Sequence, residues 1–253
     1  MKRAFFNRWF IAGLLLYAVA YSGCNKHLAP ASYAFEEKQI KGSAPVDAHL
    51  QAIIQPYKDS LDKEMNVPLG FADTTLTKNQ PESDLGNFMC DLILKKAREY
   101  YGKPIDFTFL NHGGIRLPSL AQGPITLGKM IELMPFDNRI VVMQLSGATV
   151  DSLFNHMASK GGWHISGARY KIKDGKAMDI EIEGAPLNKA GSYTVVVSDY
   201  LAGGGDNCIM LKGKPYTDLR KILREVLIEG VKDMNKRGEH IKSVLDGRIQ
   251  AIN

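Results

Sequence analysis

Residues 105–110, IDFTFL, form a short apolar run bounded by turn formers, and such a run reads as a buried strand. It ends at once in Asn111-His112-Gly113-Gly114-Ile115-Arg116. A buried strand that stops there sets the Asn and Arg side chains near the edge of a sheet. The two glycines allow φ > 0 and let the backbone approach a ligand closely. The arginine offers a planar fork suited to phosphate or carboxylate. The same residues also fit a plain glycine turn that carries a surface arginine.

The flanking segments set the fold class. Residues 45–65 read as a helix, because Val46, Leu50, Ile53, Ile54, Tyr57 and Leu61 recur near helical spacing. Pro56 is expected to kink or break it. Residues 68–77 read as extended. Residues 83–102 read as a helix capped by Ser83 or Asp84 and ended by Gly102. Thr126 caps a short helix, 139–147 is a strand, and the following helix ends at Gly161 and Gly162. Residues 168–184 read as a hairpin turning at Asp174-Gly175. The Val-rich run SYTVVVSDYL is another strand, and 218–235 is the last helix. Helices and strands alternate irregularly and include a hairpin. The expected fold is therefore α+β, a mixed β-sheet packed with helices, rather than a doubly wound parallel sheet.

The chain opens with MKRAFFNRWFIAGLLLYAVAYSGC. Lys2, Arg3 and Arg8 precede an apolar stretch, and small residues precede Cys24. That order reads as a secretory signal peptide rather than a spanning helix. The Ser22-Gly23-Cys24 end resembles the lipobox of bacterial lipoproteins, which implies cleavage before Cys24 and its lipidation. An ordinary signal peptide or an anchor helix is the alternative. The expected organisation is a signal peptide over 1–23, a lipidated tether over 24–44 and one domain over 45–253. The expected location is exported, held by lipid at a bacterial membrane. Removing the leader takes the formal net charge from +5, by its three positive charges, to +2. That near-neutral balance gives no electrostatic case for nucleic-acid binding.

Two further stretches carry candidate chemistry. MPFDN, 134–138, sets Phe136 in a connecting loop, where an aromatic fills a core or stacks on a flat ligand. SDYLAGGGDN, 198–207, presents Tyr200, a glycine run with Gly204, and Asp206 after a strand. This stretch is either a flexible loop or a backbone surface for a ligand, with Asp206 accepting from hydroxyls. The alternatives are poorly supported. There is no Gly-x-Ser-x-Gly elbow and no Walker A loop. Asp47-Ala48-His49 spells a metal-site opening, but residues i and i+2 of a helix point apart, so no metal ligands are assigned. The three cysteines give no disulfide framework; Cys90 and Cys208 read as buried thiols. His112 lies in the loop within reach of a ligand, whereas His156 and His164 read as structural or exposed. The basic pairs Lys95-Lys96 and Lys236-Arg237 read as solvated surface.

In order and spacing, LNHGGIR, LMPFDN and YTVVVSDYLAGGGDN resemble the C-terminal, substrate-binding domain of 5'-nucleotidases. ESDLGNFMCDLIL and HISGARYKIKDG support this, and the likeness runs from about 46 to about 250. It implies that Phe136 and Tyr200 sandwich a nucleobase and that Asp206 holds ribose hydroxyls. It further implies that Asn111, Gly113, Gly114 and Gly204 lie against the base and sugar and that Arg116 meets the phosphate of a nucleoside monophosphate or related nucleotide. No catalytic residue is implied here. Complete members carry two metal ions on a separate metallophosphoesterase domain, so a partner protein bearing divalent metals is expected, with no cofactor in this chain. The family often has an arginine before the position of Glu82, where this chain has Pro81. The second reading is a non-catalytic solute-binding or scaffold lipoprotein that has kept the fold.

Overall fold

The structure, a computed structural model, describes residues 47–242 and 244–252. The expected signal peptide, Cys24 and the tether lie outside the described residues. Helix α1 spans Ala48–Met65. Pro56 sits inside it without ending it. No residue of this helix is buried, so water can meet the backbone carbonyl that proline leaves without a partner.

Strands β1 (Pro68–Ala72) and β2 (Leu76–Thr77) lead into helix α2 (Asp84–Tyr101). Ser83 caps α2 by accepting from the Gly86 amide at 2.9 Å, and Gly102 ends it at φ 67°. Then come β3 (Phe107–Leu110), β4 (Ser119–Leu120), β5 (Gly123–Thr126) and α3 (Leu127–Leu133), with Thr126 capping α3. Strand β6 (Arg139–Ser146) and helix α4 (Gly147–Ser159) follow. Next are β7 (His164–Ser166), β8 (Ala168–Lys173), β9 (Lys176–Ile182) and β10 (Ala185–Pro186). The β8–β9 hairpin turns at Asp174 and Gly175, both at positive φ, 49° and 71°, as a tight primed turn requires. The chain closes with β11 (Ser192–Ser198), α5 (Asp199–Ala202), β12 (Tyr216–Ile222), α6 (Leu223–Lys236) and β13 (Ile249–Ala251).

The central sheet runs β12-β6-β11-β3-β7 and a second sheet runs β10-β9-β8-β13. The pair β11/β3 is parallel, while β11/β6, β12/β6 and β3/β7 are antiparallel, so the sheet is mixed. Both faces of the central sheet are covered, which explains its uninterrupted apolar runs. Val196, Ile140 and Val142 join the core formed with α2, α3 and α6. Val195, Val197, Val141, Met143, Phe107 and Phe109 join the core formed with α4 and the second sheet. Period-two alternation therefore sorts neighbouring valines into two different cores.

Two expectations are corrected here. Residues 218–222 are not the start of the last helix: they belong to β12, which pairs with the free edge of β6, and the helix begins only at Leu223. Pairing satisfies edge backbone groups that helix propensity alone would leave open. Lys96 is not solvated surface. It is 5% exposed, and its ammonium joins α2 to α6 through Glu229 at 2.8 Å and Asp233 at 3.0 Å, with Glu99 at 2.6 Å.

His164 opens β7 and is fully buried. The Ser83 hydroxyl, which accepts from Gly86, also lies in hydrogen-bond contact with His164 Nδ1 at 3.2 Å. Burial, reinforced by His112 and Lys78, pushes the His164 pKa down to about 3. The unfolded chain therefore binds a proton that the native state refuses between its ordinary value and about 3. Stability should fall as pH drops through that window, by up to about 1.4 kcal/mol per unit from this group. Stability from denaturant melts should fall more steeply between pH 6.5 and 5, above most carboxylate titration, for the wild type than for His164→Asn; identical slopes would count against the buried neutral imidazole as the cause.

Candidate functional site

Four chain segments converge on one edge of the central sheet. Because β3 and β11 are parallel, their carboxyl ends, Leu110 and Ser198, leave the sheet on the same side. Strand β6 is antiparallel to β11 with Ile140 opposite Ser198, so the loop before β6, containing Phe136, arrives at that side too. Strand β12 ends there, with Ile222 opposite Arg139, and delivers Leu223. Together they enclose a cavity of about 320 Å³ lined by Leu110, Asn111, Gly113, Gly114, Arg116, Met134, Phe136, Asn138, Ser198, Tyr200, Asp206 and Leu223. That volume lies within the range of small-molecule sites.

Of the residues singled out in the sequence, Asn111, Gly113, Gly114, Arg116, Phe136, Tyr200 and Asp206 line this one cavity. Gly204 does not. It sits at φ 95° and turns the chain into the short 3-10 turn of residues 205–207. Gly205 provides the space instead: a Cβ there would lie 2.5 Å from Tyr200 Cζ, so the Tyr200 ring rests on bare backbone. Gly113 and Gly114 do not use the positive φ that glycine allows. What Gly114 supplies is room, because its Cβ would fall 2.6 Å from Asn111 Oδ1. The two rings are open rather than packed inward, Phe136 at 38% and Tyr200 at 45% exposure.

Asp206 organises the floor of the site. Its carboxylate accepts from Asn111 Nδ2 at 2.6 Å and from the Tyr200 hydroxyl at 2.7 Å. The hydrogen bond to Asp206 is the main reason the Tyr200 pKa is raised, which keeps its hydroxyl protonated and donating. Asp206 and Asn207 both hold left-handed backbone, φ 48° and 63°, a conformation that Asp and Asn tolerate better than most residues.

Arg116 also lines the cavity. Its guanidinium makes one long contact to the Gly113 carbonyl, 3.5 Å, and sits 5.9 Å from the Phe136 ring centroid. Among the described residues it forms no ion pair with a carboxylate. The Phe136 loop is strapped to α6: Arg224 donates to the Phe136 carbonyl at 3.3 Å and to Asp137 Oδ1 at 2.6 Å, and the Leu223 amide donates to Asn138 at 2.8 Å.

Sequence reasoning missed several of these roles. Asn138 stands in the quoted MPFDN and could have been found there. Arg224 and His156, whose Nε2 lies 3.0 Å from the Asp206 carbonyl, had no local signal. His112 does not line the cavity. Its Nδ1 is buried without a partner among the described residues, and its ring lies 5.5 Å from that of His164. Also among the described residues, no group of three or more His, Cys, Asp or Glu gathers as a metal site would need. A groove of about 400 Å³ along β8 and β9 is larger, but charged strand residues such as Lys171 and Asp179 line it and pair with each other at 3.0 Å.

Residues 63–213 match the family model described as 5'-nucleotidase, C-terminal domain. The chain is 26% identical over 260 residues to the trifunctional nucleotide phosphoesterase protein YfkN of Bacillus subtilis, covering 89% of this chain and 17% of that protein. It is 26% identical over 206 residues to the 5'-nucleotidase of Vibrio vulnificus, covering 77% of this chain and 35% of that one. The crystal structure of a 5'-nucleotidase precursor from Thermus thermophilus superposes with a TM-score of 0.72 at 28% identity, covering 83% of this chain and 44% of that one. The chain thus spans less than half the length of each of these relatives.

Proposed function

Because the chain belongs to the 5'-nucleotidase C-terminal domain family, we propose that its sheet-edge cavity recognises a nucleoside monophosphate or related nucleotide for a 5'-nucleotidase-type hydrolase. The observation that carries this reading is the meeting of two open aromatic rings, a carboxylate and an unpaired arginine in one cavity. The base stacks between Phe136 and Tyr200. The ribose hydroxyls donate to Asp206, already aligned by Asn111 and Tyr200. The phosphate meets Arg116 through charge-assisted bonds. Hydrolysis itself is assigned to a separate metallophosphoesterase protein that brings the divalent metals and the attacking hydroxide. The chain is exported and held at a membrane through lipidated Cys24, with residues 24–44 as tether.

Calorimetry on the purified protein with AMP, adenosine and a UDP-sugar tests the recognition step. Phe136→Ala or Tyr200→Ala should weaken AMP and adenosine alike, each by about 1–3 kcal/mol. Arg116→Ala should weaken AMP by about 1.5–3 kcal/mol while sparing adenosine. Failure of the wild-type protein to bind any of these ligands would overturn the reading. Robust phosphatase turnover by the purified chain with added divalent metal would overturn the assignment of hydrolysis to a partner.

A further inference from the structure

The two rings of the cavity are held in different ways. Tyr200 is fixed by its own side chain. Its hydroxyl donates to Asp206 Oδ1 at 2.7 Å and accepts from the Asp206 amide at 3.2 Å, and its ring rests on Gly205. Phe136 has no polar handle, and its ring joins neither core. The Arg116 guanidinium stands 5.9 Å from its centroid, at the outer edge of the range in which a cation attracts a ring. The Phe136 ring therefore sits where its backbone puts it. Residues 134–138 form no helix or strand, so the Phe136 and Asn138 carbonyls need donors from elsewhere. Both are met at the start of α6, by Arg224 at 3.3 Å and by the Leu223 amide at 2.8 Å. The Asp137 carboxylate holds the other arm of the same guanidinium at 2.6 Å. That carboxylate is 77% exposed, so the ion pair adds little stability. What it does is fix the plane of the guanidinium, and with it the direction of the N–H that meets the Phe136 carbonyl. Helix α6 is itself anchored, because its Glu229 and Asp233 hold Lys96 of α2.

We propose that Arg224 is a positioning residue for base recognition: it lines no part of the cavity, and it sets how far the Phe136 ring stands from the Tyr200 ring by gripping the loop at Phe136 and Asp137. The proposal rests on the nucleotide reading for its ligand, but the placement of the ring can be measured without one. Dispersion is a contact force that fades within an ångström of added separation, so a ring held slightly too far away stacks poorly. A ring that must first be ordered by the ligand also gives back part of what stacking gains. The clamp thus has one jaw fixed by its own hydroxyl and one jaw fixed through the main chain by a residue 88 positions away.

The test uses the full chain. Adenosine and AMP are titrated by calorimetry into the wild type, Arg224→Gln, Phe136→Ala and the double variant. Arg224→Gln should weaken both ligands alike, by about five- to tenfold, and should add less than about twofold once the Phe136 ring is gone. An equal loss with and without the ring would overturn the proposal, because Arg224 would then support the site as a whole. A loss confined to AMP would also overturn it, because Arg224 would then be answering the phosphate. Should Arg224→Gln fail to fold, Asp137→Ala removes the exposed partner that orients the guanidinium. It should weaken adenosine by about two- to threefold, again only while the ring is present, and no effect there would count against the proposal. A ligand-free measurement separates this proposal from the nucleotide reading. With 4-fluorophenylalanine incorporated, the Phe136 fluorine resonance, identified by its absence in Phe136→Ala, should narrow in Arg224→Gln as the loop gains freedom. A resonance unchanged in position and width overturns the positioning role whatever the protein binds. A wild type that binds neither adenosine nor AMP, with a resonance that does respond, upholds the positioning role and defeats the nucleotide reading.

Discussion

Asp206→Ala is expected to lower affinity for adenosine by about 100-fold or more. One carboxylate holds three things. It is the acceptor for Asn111 Nδ2 and for the Tyr200 hydroxyl, and in the proposed complex for the ribose. Hydrogen bonds to a charged group contribute about 1.5–3 kcal/mol each, so losing the ribose contact alone accounts for tenfold or more. The substitution also frees the Tyr200 hydroxyl from its anchor, and alanine at φ 48° costs a further ~1–2 kcal/mol in a loop bearing the site. Asp206→Asn, which keeps the shape and loses the charge, should fall between the wild type and Asp206→Ala. Adenine without ribose separates the terms, since it should lose only the share due to a displaced Tyr200. If the free base loses as much as the nucleoside, Asp206 acts through Tyr200 alone. If Asp206→Ala and Arg116→Ala weaken nucleoside and nucleotide equally, the division of the cavity into sugar and phosphate ends is wrong.

Gly167→Ala should have the largest effect on the fold. Gly167 is the single residue between β7 of the central sheet and β8 of the second sheet. Its φ is 82°, and a Cβ there would lie 2.1 Å from the Asp106 carbonyl oxygen and 2.9 Å from Phe107 Cα. Both neighbours are backbone, and Phe107 is fully buried, so neither yields cheaply. Gly184 is the matched control, since its φ is 78° but nothing lies within 4 Å of its would-be Cβ. Gly184→Ala should cost only the left-handed penalty, about 1–2 kcal/mol. Gly167→Ala should cost more than about 4 kcal/mol, a drop in Tm of about 8–16 °C for a domain of this size. Similar losses at the two positions would show that the sheet junction can shift to admit a methyl group. Because β3 runs from Phe107 into the Asn111 loop, a shift of that kind would be transmitted to the site.

Much of the architecture was legible because local chemistry and tertiary packing agree. Ser83, Gly102 and Thr126 cap or end their helices as their types dictate, and Asp174-Gly175 makes the hairpin turn. Where the two disagree, local reading failed. Residues 218–222 look helical, yet the exposed edge of β6 takes them as a strand. Lys96 looks like surface, yet three acidic groups on two helices make its burial tolerable. Gly113 and Gly114 could take left-handed backbone, and the structure uses the bareness of Gly114 instead.

The sequence by itself singled out Asn111, Gly113, Gly114, Arg116, Phe136, Tyr200 and Asp206, which line one cavity, because their motifs stand in a characteristic order and spacing. Only the tertiary structure decided where they meet and what holds them. A parallel β3/β11 pair flanked by an antiparallel β6 brings loops from residues 111, 136 and 200 to one sheet edge, and strand direction is a property of pairing that no single segment encodes. Lys78, His156 and Arg224 reach their partners 37, 50 and 87 residues away. Such contacts exist only after the chain has folded, because the energy that fixes them is shared between segments that are distant in sequence.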